Sequence, residues 1–134
     1  MRPRRVLETA LYASDLEAAE GFYGGTLNLE VIGRVAGRHV FFRCGDGVLL
    51  VFDPTATAAT EGQVPPHGAS GPGHVAFAAT REELDAWRSR FERDGVAIEA
   101  AVTWPRGGHS IYVRDPAGNS VELAEPALWG IEEP

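Results

Sequence analysis

Apolar and polar positions alternate along residues 6–13, with Glu8, Ala10 and Tyr12 on one face and Leu7, Thr9 and Leu11 on the other, which predicts a strand. From Asp15 onward the period lengthens. Leu16, Ala19, Phe22 and Tyr23 return at helical spacing, predicting a helix that ends through positive φ at Gly24-Gly25. Short strands follow over 29–33, 39–43 and 48–52, the last two joined by a hairpin turn at Gly45-Asp46-Gly47. The same order then returns. A strand opens at His74-Val75-Ala76-Phe77, and a helix burying Leu84, Trp87 and Phe91 stops at Gly95. Strands are predicted over 96–99, 110–114 and 120–124, with Asp115-Pro116-Ala117-Gly118 as the matching turn.

The repeat extends to spacing, since His74 follows Glu8 by 66 residues and Thr80 follows Ser14 by the same 66. Each copy places a capping box at its helix start: Ser14 with Glu17, Thr80 with Glu83. In such a box a hydroxyl accepts from an orphan N–H while the carboxylate three residues on reaches back. The fold class is therefore α+β, built from two tandem βαβββ modules. Module one spans about 5–54, a connecting loop about 55–72, module two about 73–126 and a C-terminal tail 127–134. Residues 53–73 are rich in Pro, Thr, Ala and Gly, and a connection of that length commonly covers a site.

With 134 residues, 44% of them hydrophobic, the chain fits one globular domain. No apolar run approaches the roughly 20 residues of a membrane span. The Arg-rich start leads into a strand pattern rather than a signal-peptide core, so a cytoplasmic protein is expected. The single Cys44 cannot form an internal disulfide and reads as a small core residue. A net charge of −7 argues against nucleic acid, whose phosphates need a basic surface, and fits solubility or attraction of a cationic guest equally well. Gly107-Gly108 precedes a strand rather than a helix, so no nucleotide cofactor is expected.

Three segments carry a resemblance to the vicinal oxygen chelate superfamily, the glyoxalase, bleomycin-resistance and extradiol-dioxygenase group. They are residues 7–15 running into Phe22-Tyr23 and Leu27, the strand at Gly73-His74-Val75-Ala76-Phe77, and the stretch from Tyr112 to Leu123. The resemblance implies a curved mixed sheet closing around a cavity, a homodimer, and one divalent metal ion (Mn, Fe, Zn, Ni or Co). It also implies ligands on the first and last strands of the modules: Glu8, His74 and Glu122. Two departures stand out. Glu8 occupies a place where His or Gln is common in the family, and Leu50, at the first-module counterpart of Glu122, cannot bind a metal.

The chemistry of these three side chains agrees with that assignment, because two carboxylates and an imidazole hold a divalent cation while leaving positions for water and substrate. Structural roles are also open to each. Glu8 can pair with Arg4 or Arg5, His74 can cap a strand, and Glu122 can be a solvated edge charge. Tyr112 is a candidate donor to a developing oxyanion, and the resemblance to glyoxalases implies that Glu8 or Glu122 can exchange between ligand and base, so Glu8, Glu122 and Tyr112 are the catalytic candidates. Tyr12, Arg106, His109 and Ser110 are the substrate-binding candidates, with Ser110 and Tyr112 sharing a strand face and Arg106 suited to an anionic group. His39 reads as structural or exposed and His67 as solvated, with a lesser possibility of covering the site. Trp104 and Trp129 read as packing residues.

The function expected is a metal-dependent lyase, isomerase or transferase of the glyoxalase or fosfomycin-resistance type, acting on a small oxygen-chelating substrate. Two alternatives accompany it. One is a metal-free protein sequestering a drug or metabolite, as the resemblance to bleomycin-resistance proteins allows, and the other is an extradiol-type dioxygenase, which ordinarily uses two His and one carboxylate.

Overall fold

The computed structural model describes residues 1–59 and 62–132; Thr60 and Glu61 of the expected connecting loop, and Glu133 and Pro134 of the expected tail, lie outside the described residues. The chain divides into two compact units, 1–73 and 74–134.

The first unit holds β1 (Glu8–Tyr12), α1 (Leu16–Glu20), β2 (Glu30–Val35), β3 (His39–Cys44), β4 (Gly47–Phe52) and a short α2 (Pro54–Thr57). Its open four-stranded sheet runs β1-β4-β3-β2, with β1 and β4 parallel and the other pairs antiparallel. Leu11, Val40, Phe42, Leu49 and Val51 are buried with Phe22 and Tyr23, and the Tyr23 ring lies 5.8 Å from that of Phe42. The opposite face carries Glu8, Ala10 and Tyr12, and register places Phe41 opposite Leu50 and His39 opposite Phe52 there. The β3–β4 hairpin closes through a Cys44–Gly47 pair, so Gly45-Asp46 forms a two-residue turn in which Gly45 takes a φ of 56°.

Two local expectations for this unit change. The cap of α1 is Asp15, whose carboxylate accepts from the Ala18 N–H, so the box sought at Ser14 and Glu17 is one residue out of register and Ala18 cannot reciprocate. Nor does the helix stop at Gly24-Gly25. It widens into a π-helix over Gly21–Thr26, the Leu27 N–H donating to the Phe22 carbonyl, and the left-handed residue is Asn28 at φ 59°. The Leu29 N–H then returns to the Tyr23 carbonyl, which completes a Schellman-type end.

The second unit repeats the plan with β5 (His74–Ala78), α3 (Arg81–Arg93), β6 (Ala100–Thr103), β7 (His109–Arg114) and β8 (Ser120–Ala124). Its sheet is also open, four-stranded and mixed, in the order β5-β8-β7-β6. Here the capping box is present, with the Thr80 hydroxyl accepting from the Glu83 N–H and the Glu83 carboxylate from the Thr80 N–H. Leu84 and Phe91 are buried, whereas Trp87, expected inside, is half-buried and stacks on Phe91 at 5.7 Å.

The strand expected over 96–99 is displaced to Ala100–Thr103. Val96 is used otherwise: its N–H donates to the Phe91 carbonyl and that of Gly95 to the Glu92 carbonyl, so residues that read as strand terminate the helix. The β7–β8 turn is built as anticipated, with the buried Asp115 carboxylate accepting from the Ala117 and Asn119 N–H groups and from Asn119 Nδ2. No described helix is long and apolar enough to cross a membrane.

Candidate functional site

Register explains which residues of the second unit meet. Tyr112 lies opposite Glu122 across β7 and β8, Ala76 lies opposite Glu122 across β5, and His74 opens β5. Alternation therefore gathers His74, Ser110, Tyr112 and Glu122 on one face, with Ile111, Val113, Val121 and Leu123 buried on the other. Glu122 is buried, not a solvated edge charge, and its two oxygens have separate partners. Ser110 Oγ donates to Oε2 at 2.6 Å, and His74 Nε2 stands 3.3 Å from Oε1. Ser110 in turn accepts from Trp104 Nε1 at 2.8 Å.

His74 is oriented from its other nitrogen, because Nδ1 lies 3.1 Å from the Ser120 carbonyl, an acceptor only. The Nδ1 proton is committed there. In a neutral ring the Nε2 lone pair then faces a carboxylate oxygen, and a proton or a cation must lie between the two. The Tyr112 ring stacks over His74 with centroids 6.3 Å apart. Burial first, and then the negative charge of Glu122, pushes the Tyr112 hydroxyl above the usual phenol range, so it keeps its proton near neutrality.

The remaining candidates are placed elsewhere. His109 lies on the α3 side of the second sheet, paired with Glu125 at 2.8 Å and bordering a cavity of about 90 Å³ with Arg81 and Arg88. Arg106 is exposed in the turn before β7. Glu8 is exposed at the start of β1, and Arg5, a partner open to it, pairs instead with Asp46 at 3.0 Å. Tyr12 contacts His67, its hydroxyl 2.7 Å from Nδ1. His67 is thus half-buried against Tyr12 and Phe52 rather than solvated, since the His67 N–H donates to the Thr57 carbonyl and draws the connecting segment back onto the sheet. No periodicity signals that return. Trp104, read as a packing residue, is the external donor of the Ser110 pair, while Trp129 is exposed.

A family model described as the Glyoxalase/Bleomycin resistance protein/Dioxygenase superfamily matches residues 5–123. The chain belongs to this superfamily. A crystal structure of a lactoylglutathione lyase from Agrobacterium tumefaciens is similar at a TM-score of 0.94 and 46% identity, covering 98% of this chain and 100% of that one. A glyoxalase/dioxygenase from Nostoc punctiforme is similar at a TM-score of 0.67 and 25% identity, with 90% of each chain covered. A glyoxalase/bleomycin resistance protein/dioxygenase from Nocardioides shares the fold at a TM-score of 0.74 and 23% identity, covering 93% of this chain and 85% of its own. No curated protein sequence matches the chain.

Members of the glyoxalase superfamily usually bind a divalent metal, and the His74–Glu122 pair can be tested for that role. Among the described residues neither unit gathers three His, Cys, Asp or Glu side chains of its own. The pair nevertheless fits as part of a ligand set. Bonds of roughly 2.0–2.2 Å to a tetrahedral ion set neighbouring ligand atoms about 3.3–3.6 Å apart, and the observed 3.3 Å falls at the short end of that range. Both donors are also held from behind, by Ser110 and by the Ser120 carbonyl, as metal ligands commonly are.

The glyoxalase-fold protein should feel the loss of the Ser110 hydroxyl directly. Ser110→Ala leaves the buried Glu122 Oε2 and the half-buried Trp104 N–H without this partner, and a destabilisation of about 1–3 kcal/mol is expected. Urea unfolding should show a lower midpoint at unchanged slope, and an unchanged midpoint would mean that water replaces the hydroxyl at no cost.

Proposed function

We propose that this glyoxalase-superfamily chain is a metal-assisted lyase acting on a 2-hydroxyacyl thioester of glutathione. The observation that carries the reading is the His74–Glu122 pair, two metal-capable atoms facing each other at 3.3 Å with their other atoms already engaged. The 46% identity to a lactoylglutathione lyase over nearly the whole of both chains supports the proposed reaction class. His74 and Glu122 would hold the ion, and Glu8, at the equivalent strand position of the other unit, is the proposed third ligand. A bound divalent ion supplies Lewis-acid stabilisation of negative charge on the substrate's adjacent oxygens.

The chain's own groups account for the rest. In the lyase direction the hydroxyl proton passes to the neighbouring carbonyl oxygen, the hemithioacetal so formed breaks its C–S bond with its O–H proton going to sulfur, and a thiol and a 2-oxoaldehyde result. The first of these steps requires that a proton leave the hydroxyl-bearing carbon and be returned to the carbonyl carbon. A carboxylate of Glu8 or Glu122 is the group proposed to carry that proton. The protonated Tyr112 hydroxyl donates toward the oxygen on which charge develops. Ser110 and Trp104 hold Glu122 in one orientation, so no reorganisation is needed during transfer. We also propose a homodimer, which would cover part of the exposed apolar surface at Val6, Leu7, Ile32, Val35, Trp129 and Ile131.

The test mixes glutathione with a 2-oxoaldehyde and follows thioester absorbance, in protein stripped with chelator and reloaded with Mn, Fe, Zn, Ni or Co. Thioester should form without oxygen, with more than one of these ions, and stop when chelator returns. Stoichiometric ligand binding without turnover would favour sequestration, and strict Fe(II) dependence with oxygen uptake would favour a dioxygenase.

A further inference from the structure

The first unit contains a cavity of about 260 Å³ that the proposed chemistry does not use, bounded by Arg38, Thr57, Gln63, Val64, Pro65 and His67. We infer that this cavity is a binding site for a small monocarboxylate, with the Arg38 guanidinium as its cation and the His67 imidazole as a second donor. The inference does not depend on the lyase reading, because every group it uses lies in the first unit and none belongs to the proposed ligand set.

Arg38 is the decisive residue. Among the described residues it has no carboxylate partner, unlike Arg5, Arg34 and Arg114, which pair with Asp46, Glu20 and Glu99. Its neighbours are neutral instead. Nη1 donates to His39 Nδ1 at 2.6 Å, and the guanidinium carbon lies 5.5 Å from the centre of the Phe52 ring. His39 stacks on Phe41 at 3.8 Å, so the arginine is braced by an aromatic platform. Burial and the Arg38 charge both lower the pKa of His39, which keeps that ring an acceptor for Arg38 rather than a competing cation. One guanidinium nitrogen is committed to this brace. Nε and Nη2 remain available as a planar fork.

His67 adds a donor. The Tyr12 hydroxyl holds Nδ1 at 2.7 Å, which leaves Nε2 to serve a ligand, as a donor in the tautomer whose Nδ1 accepts from Tyr12. One fixed guanidinium beside one imidazole nitrogen matches a single negative charge in a planar group, whereas a phosphate dianion would call for more cations. The volume sets the size of the guest. Drug-sized ligands occupy about 300–1,000 Å³, so this smaller space suits an acid of a few heavy atoms or the carboxylate end of a peptide.

Isothermal titration and imidazole proton resonances of chelator-treated protein, titrated with N-acetylglycine, its primary amide and inorganic phosphate, test the inference apart from turnover. N-acetylglycine should shift the His67 resonances, the amide should not, and Arg38→Gln should weaken the acid at least tenfold while Arg114→Gln leaves it unchanged. Equal binding of acid and amide, phosphate binding as tight as the acid, or full affinity in Arg38→Gln would each overturn the site. The comparison of acid with amide uses the unaltered protein, so it decides even where a variant folds poorly.

Discussion

Glu122→Gln is expected to lose bound metal and to lower turnover by about 10²–10⁴-fold while leaving the fold intact. The substitution preserves volume in a buried place, and its amide can satisfy both neighbours. The Gln oxygen can accept from Ser110, and the amide nitrogen can donate to the His74 Nε2 lone pair, so no buried atom is left unpartnered. What disappears is the negative charge and one ligand oxygen. Elemental analysis of protein prepared without chelator or metal-affinity resin should show the metal missing, beside an unfolding midpoint close to that of the unaltered chain. His74→Ala should behave alike in metal content, whereas Leu50→Ala should not, because Leu50 holds the register position of Glu122 in the other unit without a donor atom. Equal metal in all three would remove the proposed centre.

Phe42→Ala is expected to destabilise the protein by about 3–5 kcal/mol, the largest stability effect anticipated for a single change. Phe42 is wholly buried on β3, touches the Tyr23 ring, and lies within 3.6 Å of the position a Cβ would take at Gly24. The cavity it leaves cannot be filled cheaply, because those neighbours are set by the π-helix and by strand register. Against a total stability of roughly 5–15 kcal/mol, such a loss brings the domain near its unfolding threshold. Thermal unfolding should fall by about 10–20 °C, and a shift of only a few degrees would show that the core repacks.

The architecture was legible because period and repetition agree. Alternation located every strand but β6, and a match at 66 residues aligned Glu8 with His74 before any contact was known. The errors lie where one residue serves two local purposes. Ser14 and Asp15 both cap helices well, and the choice between them depended on which N–H lay third. Gly24-Gly25 permits a stop that the wider π-turn did not need, since Asn28 tolerates the left-handed region. Val96 has strand propensity yet ends a helix. At the site, the shared face of Ser110 and Tyr112 followed from alternation, but the pairing of Ser110 with Glu122 is a cross-strand contact between residues 12 apart that no local pattern encodes. The return of His67 to Tyr12 across 55 residues is equally non-local.

The strand order of the second sheet bears on how its two candidate ligands behave over time. β8 is flanked on both sides, so the backbone carrying Glu122 exchanges its amide protons only when much of the unit opens. β5 lies at the margin of that sheet, and His74 is its first residue, with about half of its side chain exposed. An anchored carboxylate is therefore set against an imidazole on a strand end that frays at low cost. If the pair holds an ion as proposed, such an arrangement would let ions of different radius be accommodated by movement of one partner alone, and occupancy of the pair would be read most directly as slowed amide exchange at the start of β5.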